Sequence, residues 1–359
     1  MKKYIILLLA ALALNACEDI IGSDANIKKY HKQRLFITKL NNAGTSTDIY
    51  MLHPDSTDYA IWKHDAMLVA PPRGEMIFYM EWADGPGSPK CYISGPDGRN
   101  PMLAFEGELK NYDISPDYSK IAIASTDGMY TSGLIWDINN QKMFGGSIFY
   151  ESLVEPPWLK FSPDGRTLAI AKTRQERSII VTIELINVES STTDYIYTAN
   201  NLLGVNGLDW FPDGESVLLL TRTVEHDTMD VYSFTEVPLD GGMAKDIQTS
   251  RGPNGRVHHP MLSPDGESLI ATMWDIGLLL LDVQFSAPEF LNPQGEELEG
   301  DAYILDWSPD GNNILYLSGV LDENLPAGAL NQHNLSSRET YSLIPGRRVI
   351  NAYYMHPMD

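Results

Sequence analysis

From residue 34 onward, apolar positions come in short runs of about four to ten residues, often alternating with polar ones and broken by Gly, Pro, Asp and Ser. Runs such as RLFITKL, TLAIAKT, IIVTIELINV and GLLLLDV have the length and β-branched content of strands. Beyond the N-terminal leader, no segment of ten or more residues carries a 3.6-residue apolar period. The pattern predicts an all-β chain.

The strands repeat. DISPDYSKIAIAS from Asp113, KFSPDGRTLAIAK from Lys160, DWFPDGESVLLLT from Asp209, MLSPDGESLIATM from Met261 and DWSPDGNNILYLS from Asp306 align without gaps. VAPPRGEMIFYME from Val69 keeps Pro72 and Gly74 but has Arg73 in the acidic position. The prolines at 72, 116, 163, 212, 264 and 309 are 44 to 52 residues apart, the size of a four-stranded propeller blade. Within each motif Pro fixes φ, Asp holds the following backbone, and Gly takes the position needing positive φ. The motif is therefore a hairpin between two strands. Asp117, Asp164, Asp213, Asp265 and Asp310 read as turn formers.

The two ends complete the count. RLFITKL, DIYMLHP and YAIWKH give three strands before the first turn, and INAYYMHPMD resembles a strand entering another turn. Pairing them yields a seventh blade from both termini and removes two sheet edges. The expected fold is a seven-bladed β-propeller of four-stranded blades over residues 34–359, closed by its terminal strands. Six blades is the alternative.

Composition adds a location. The sequence opens MKKYIILLLAALALNAC: two lysines, an apolar stretch too short to span a bilayer, then Leu14-Asn15-Ala16-Cys17. This resembles a lipobox, which implies cleavage after residue 16, lipidation of Cys17 and a tether over 17–33. Membrane attachment would be through the lipid alone. The expectation is a cell-envelope lipoprotein at the outer membrane, on its periplasmic or surface side. The formal charge is −22, and loss of Lys2 and Lys3 with the leader makes it −24. Such a balance repels phosphate backbones, so nucleic acid is not an expected partner. The other cysteine, Cys91, reads as a small buried hydrophobe.

The SPDG turns resemble the WD-like repeat of the TolB family and of the propeller domains of prolyl-oligopeptidase-type enzymes, across roughly residues 34–359. The resemblance to TolB implies an envelope scaffold that binds a protein partner. The sequence contains no G-x-S-x-G, P-loop, G-x-G-x-x-G, H-E-x-x-H or C-x-x-C. No catalytic residue, metal ligand or cofactor is assigned. Some propellers of this repeat class, the oligogalacturonate lyases, are metal-holding enzymes. Here the adjacent His258 and His259 would point to opposite faces of a strand, a poor arrangement for sharing one ion.

Topology supplies the candidate ligand surface. Loops before each inner strand, and those between second and third strands, share one rim, and the SPDG turns occupy the other. The first rim gathers Trp82, Lys110, Arg174, Arg222, His226, Arg256, His258 and Trp274, basic and aromatic groups on an acidic protein. Arginines bind carboxylates bidentately and aromatics stack on sugars or side chains. Asp113, Asp209 and Asp306 share one repeat position, with Val69, Lys160, Met261 and Tyr354 in the other blades. They are expected to bond backbone in the neighbouring blade, with a channel cation as the alternative. The expected function is non-catalytic binding of a cell-envelope protein or glycan by a monomer. An enzyme of the lyase type acting on an acidic oligosaccharide is the alternative.

Overall fold

The computed structural model describes residues 34–40, 46–52, 59–82, 88–107, 109, 111–126, 129–200, 202–225, 229–252, 257–273, 277–283, 289–291, 301–320 and 327–356. The regular elements among them are all strands. The described chain opens with β1 (Leu35–Leu40), β2 (Thr47–Leu52) and β3 (Tyr59–Lys63). Five four-stranded antiparallel sheets follow, each the product of one repeat. The first holds β4 (Ala66–Leu68), β5 (Ile77–Glu81), β6 (Lys90–Ser94) and β7 (Met102–Glu106). The second holds β8 (Asn111–Ile114), β9 (Lys120–Thr126), β10 (Thr131–Asp137) and β11 (Lys142–Glu151). The third holds β12 (Trp158–Phe161), β13 (Thr167–Gln175), β14 (Ile179–Asn187) and β15 (Thr193–Asn200). The fourth holds β16 (Gly204–Trp210), β17 (Ser216–Glu225), β18 (Met229–Pro238) and β19 (Lys245–Gly252). The fifth holds β20 (Val257–Leu262), β21 (Ser268–Met273), β22 (Gly277–Asp282) and β23 (Glu289–Leu291). These five are blades of a propeller.

The last strands are β24 (Asp301–Trp307), β25 (Asn313–Val320), β26 (Gly328–Asn334) and β27 (Thr340–Tyr354). They join the first three in one sheet of order β24-β25-β26-β27-β1-β2-β3. β27 pairs twice. Its early residues lie against β26, with His333 opposite Thr340 and Leu330 opposite Ile344. Its end lies against β1, with Leu35 opposite Tyr354 and Lys39 opposite Val349.

The turn chemistry read from the sequence is present atom for atom. Ser115, Ser162, Ser263 and Ser308 each donate Oγ–H to the aspartate two residues on, at 2.5–2.7 Å. Each aspartate, and Asp213 likewise, accepts the backbone N–H two residues further. Gly165, Gly214, Gly266 and Gly311 take φ of 69–74°, where a side chain is disfavoured. Tyr118 holds the equivalent place at φ 55°, and its hydroxyl donates to the Pro71 carbonyl of the preceding blade.

The core is not central. Leu218, Leu220 and Phe234 of the fourth blade pack against Leu269, Ala271 and Leu279 of the fifth, all fully buried, and comparable clusters fill other inter-blade gaps. Burying apolar faces blade against blade leaves the axis to the inner-strand residues, which is where polar chemistry collects. Indoles lock neighbours together: Trp210 Nε1–H donates to the Lys160 carbonyl at 2.9 Å and Trp307 Nε1–H to that of Met261 at 3.2 Å. Cys91 is fully buried, as its composition context suggested, and burial pushes its thiol up to about 12.

Candidate functional site

Each inner strand runs along the channel and ends at its SPDG-type turn, so the same repeat position recurs around the axis. The aspartates at that position do what their geometry favours. Asp113 Oδ2 accepts the Phe161 N–H at 2.7 Å, and Asp209 Oδ2 the Leu262 N–H at 3.0 Å. Asp306 Oδ2 accepts the Tyr354 N–H at 2.8 Å. The first two donors belong to the next inner strand, so Asp113 and Asp209 clasp neighbouring blades, and Asp306 ties β24 to the end of β27. Among the described residues no group of three His, Cys, Asp or Glu side chains is placed to hold a metal ion.

These residues floor a cavity of about 580 Å³ at the SPDG end of the channel, lined also by Arg73, Lys160, Phe161, Trp210, Trp307, Tyr353 and His356. Lys160 Nζ stands 4.0 Å from Asp113 Oδ1 and 4.0 Å from Asp209 Oδ1, beyond direct hydrogen bonding. Burial raises both carboxyls above the ordinary range, and the Asp113 charge raises the ammonium. His356 Nε2 lies 3.0 Å from Asp306 Oδ2. The sequence alignment put Tyr354 at the channel position, and the structure corrects this. Tyr353 lines the cavity, whereas Tyr354 is buried with its hydroxyl on Gln332. The alternation of β27 follows its pairing with β1, Leu35 opposite Tyr354 and Phe36 opposite Tyr353.

Further along the channel the histidine pair departs from a regular strand. The register of β20 slips between His258 and Met261, and His259 has φ 52°, a left-handed conformation unusual outside glycine. The bulge seats the His259 ring between Tyr303, at 5.1 Å, and Trp158, at 5.8 Å. Burial, with the neighbouring His258 contributing, lowers it to about 4, so it is neutral at ordinary pH. His258 Nδ1 lies 3.4 Å from the Asn206 amide. His259 and Arg73 were not among the residues singled out as ligand-binding. The only signals in the sequence were the His-His-Pro dipeptide context and the broken PPRG motif.

Of the residues expected to bind ligand, Trp82, Arg174 and Arg222 lie toward the opposite rim. Trp82 follows β5 and is 52% exposed. Arg174 ends β13 and is committed internally: Nε donates to Glu151 at 2.5 Å and Nη2 to Glu184 at 2.8 Å. The same two carboxylates hold the fully buried Lys172, which lies 4.4 Å over the Phe149 ring. Arg222 pairs with Asp230 at 3.1 Å across its own hairpin. Cys17, Lys110, His226, Arg256 and Trp274 lie outside the described residues. The rim also carries apolar groups that composition alone did not flag. Met129 and Tyr150 are 69% and 61% exposed, and Tyr150 stacks on Tyr130 with centroids 4.9 Å apart. Val154 and Leu203, in the connections before β12 and β16, and Val224, near the end of β17, are exposed at the same end.

No family model matches the chain, and no curated protein matches it. Solved structures do. TolB from Acinetobacter baumannii superposes with a TM-score of 0.50 at 14% identity, covering 87% of this chain and 79% of that one. A protein from Lactobacillus plantarum gives 0.56 at 11% identity, over 90% and 99%. Hydrazine synthase of Kuenenia stuttgartiensis gives 0.52 at 13%, over 86% and 91%. At these identities the likeness defines a TolB-like propeller fold and nothing further.

Proposed function

We propose that this chain is a lipid-anchored cell-envelope propeller acting as a non-catalytic binding module for a protein or glycan partner, docked on the rim opposite the SPDG turns. The observation that carries the reading is the concentration of exposed Trp82, Met129, Tyr130, Tyr150, Val154, Leu203 and Val224 on that rim. Exposed apolar groups gathered on one face mark interaction surfaces, and aromatic anchors dominate their energetics. With Arg174 and Arg222 already holding carboxylates of the same chain, apolar burial is the stronger driving force there. This favours a protein over a glycan.

Two structural readings belong to the proposal. Counting β27 as the outer strand of one blade and the inner strand of the next makes seven blades, and its two successive registers support that count. The ring is then clasped non-covalently by the pairing of β1 with β27. The lipobox-like Leu14-Asn15-Ala16-Cys17 supports attachment through Cys17. The likeness to TolB from Acinetobacter baumannii contributes by fold only.

Photo-crosslinking in cells tests the docking surface. A benzoyl-phenylalanine at position 129 or 150 is expected to give a discrete adduct identifiable by mass spectrometry. The same group at Met243, exposed beyond β18 on the SPDG side, is expected to give none. Equal or absent labelling at all three positions would refute the rim.

A further inference from the structure

The first blade breaks the turn motif in a way that has a consequence at the channel. In four of the other five turns a serine and an aspartate close the turn internally, and in the remaining one Asp213 does so without a serine. Here those places hold Pro71 and Arg73, the turn closes through backbone bonds between Arg73 and Met76, and the C-terminal segment adds two more: the Gly74 N–H donates to the His356 carbonyl at 2.7 Å, and the His356 N–H to the Pro72 carbonyl at 2.8 Å. The side chain at the aspartate position is thus released from turn duty. Arg73 instead lines the cavity of about 580 Å³. Among the described residues no carboxylate lies within 4 Å of its guanidinium, in contrast to Arg174 and Arg222, which are paired.

A guanidinium with no carboxylate at ion-pair distance, in a concave site with a second cation, is a recognition element for a planar anion. Lys160 supplies that cation. Its two aspartate neighbours stand at 4.0 Å, too far to saturate its three donors directly. The oxygens Asp113 Oδ1 and Asp209 Oδ1 face Lys160, while the Oδ2 atoms are taken by inter-blade N–H groups. They remain as acceptors for hydroxyl or amino groups. Phe161, Trp210, Trp307 and Tyr353 give the apolar wall. The volume suits one small molecule rather than a folded partner.

We infer that the SPDG-end cavity binds a small organic carboxylate carrying hydroxyl or amino groups, its carboxylate held by Arg73 and Lys160 and its donors by Asp113 and Asp209. This site is separate from the docking rim and does not rest on it.

Saturation-transfer NMR on the full mature chain tests the inference, with succinate, citrate, L-glutamate and D-glucuronate as probes and succinamide, L-glutamine and D-glucose as neutral counterparts. At least one carboxylate is expected to bind while its neutral counterpart does not. Arg73→Met is expected to weaken that binding at least tenfold, and Lys160→Met likewise, so that one misfolded variant does not decide the matter. Arg73→Lys is expected to retain part of it. Arg166→Ala, which removes an exposed charge on the same face, is expected to change nothing. The inference is overturned if none of the four carboxylates binds, if the neutral counterparts bind equally, or if folded Arg73→Met binds as the parent does.

Discussion

Asp306 is the most heavily used of the channel aspartates, and its replacement by alanine gives the sharpest stability prediction. Its side chain is 7% exposed. Oδ2 accepts the Tyr354 N–H at 2.8 Å, Oδ1 accepts the Trp307 N–H at 3.0 Å, and both oxygens lie 3.0–3.1 Å from His356 Nε2. Alanine leaves two buried backbone donors without an acceptor. At about 1–3 kcal/mol for each orphaned buried group, the loss is about 2–6 kcal/mol. For a chain of this size about 2 °C is lost per kcal/mol, so Tm should fall by about 4–12 °C. Because the Tyr354 N–H and His356 both belong to the C-terminal segment, the damage is local as well as global. Limited proteolysis should cleave within or just before β27 faster than in the parent. Asp306→Asn keeps one acceptor and should fall between the two in a calorimetric scan. A Tm for Asp306→Ala within 1 °C of the parent, with unchanged proteolysis, would refute the clasp.

Other outcomes follow from the same contacts. Deleting residues 348–359 strips β1 of its partner strand and should produce aggregation or a large loss of Tm; a monomeric truncate with unchanged melting would argue for six blades. Lys172→Ala removes one of the two cations that hold Glu184, with Arg174 remaining, and should cost about 1.5–3 kcal/mol in denaturant unfolding. Since burial raises the Asp113 and Asp209 carboxyls above their ordinary 3.8, the native state holds protons that the unfolded state releases. Their contribution therefore falls as pH rises from about 4 through the raised values and stays unfavourable above, and Asp209→Asn should flatten that acid-side slope in pH-dependent melts. Cys17→Ala should abolish acyl labelling and release soluble protein, and mass spectrometry showing cleavage elsewhere with Cys17 unmodified would contradict the anchor.

What was legible in the sequence was what local chemistry encodes. Pro, Asp and Gly at fixed spacing specify a hairpin without help from the rest of the chain, so the repeats announced five blades directly. The backbone-bonding role of Asp113, Asp209 and Asp306 was also readable, because a short carboxylate on an inner strand finds a neighbour's N–H more readily than an ion. The site was harder. Arg174 and Arg222 looked like ligand groups because their partners, Glu151 and Asp230, approach only through strand register. Arg73 looked like a degraded repeat because the segment that frees it, around His356, is hundreds of residues away. The placement of His259 depends on a bulge and a positive φ that no alternation pattern discloses.

The rim proposal is tested most directly by titration calorimetry with the partner recovered by crosslinking. Met129→Asp combined with Tyr150→Asp should abolish binding, while Arg222→Ala and a rise from 50 to 500 mM salt change the affinity by less than about threefold, because screening acts on exposed charges and not on apolar burial. Binding that survives the double substitution, or that collapses with salt and with Arg222→Ala, would contradict an apolar docking surface.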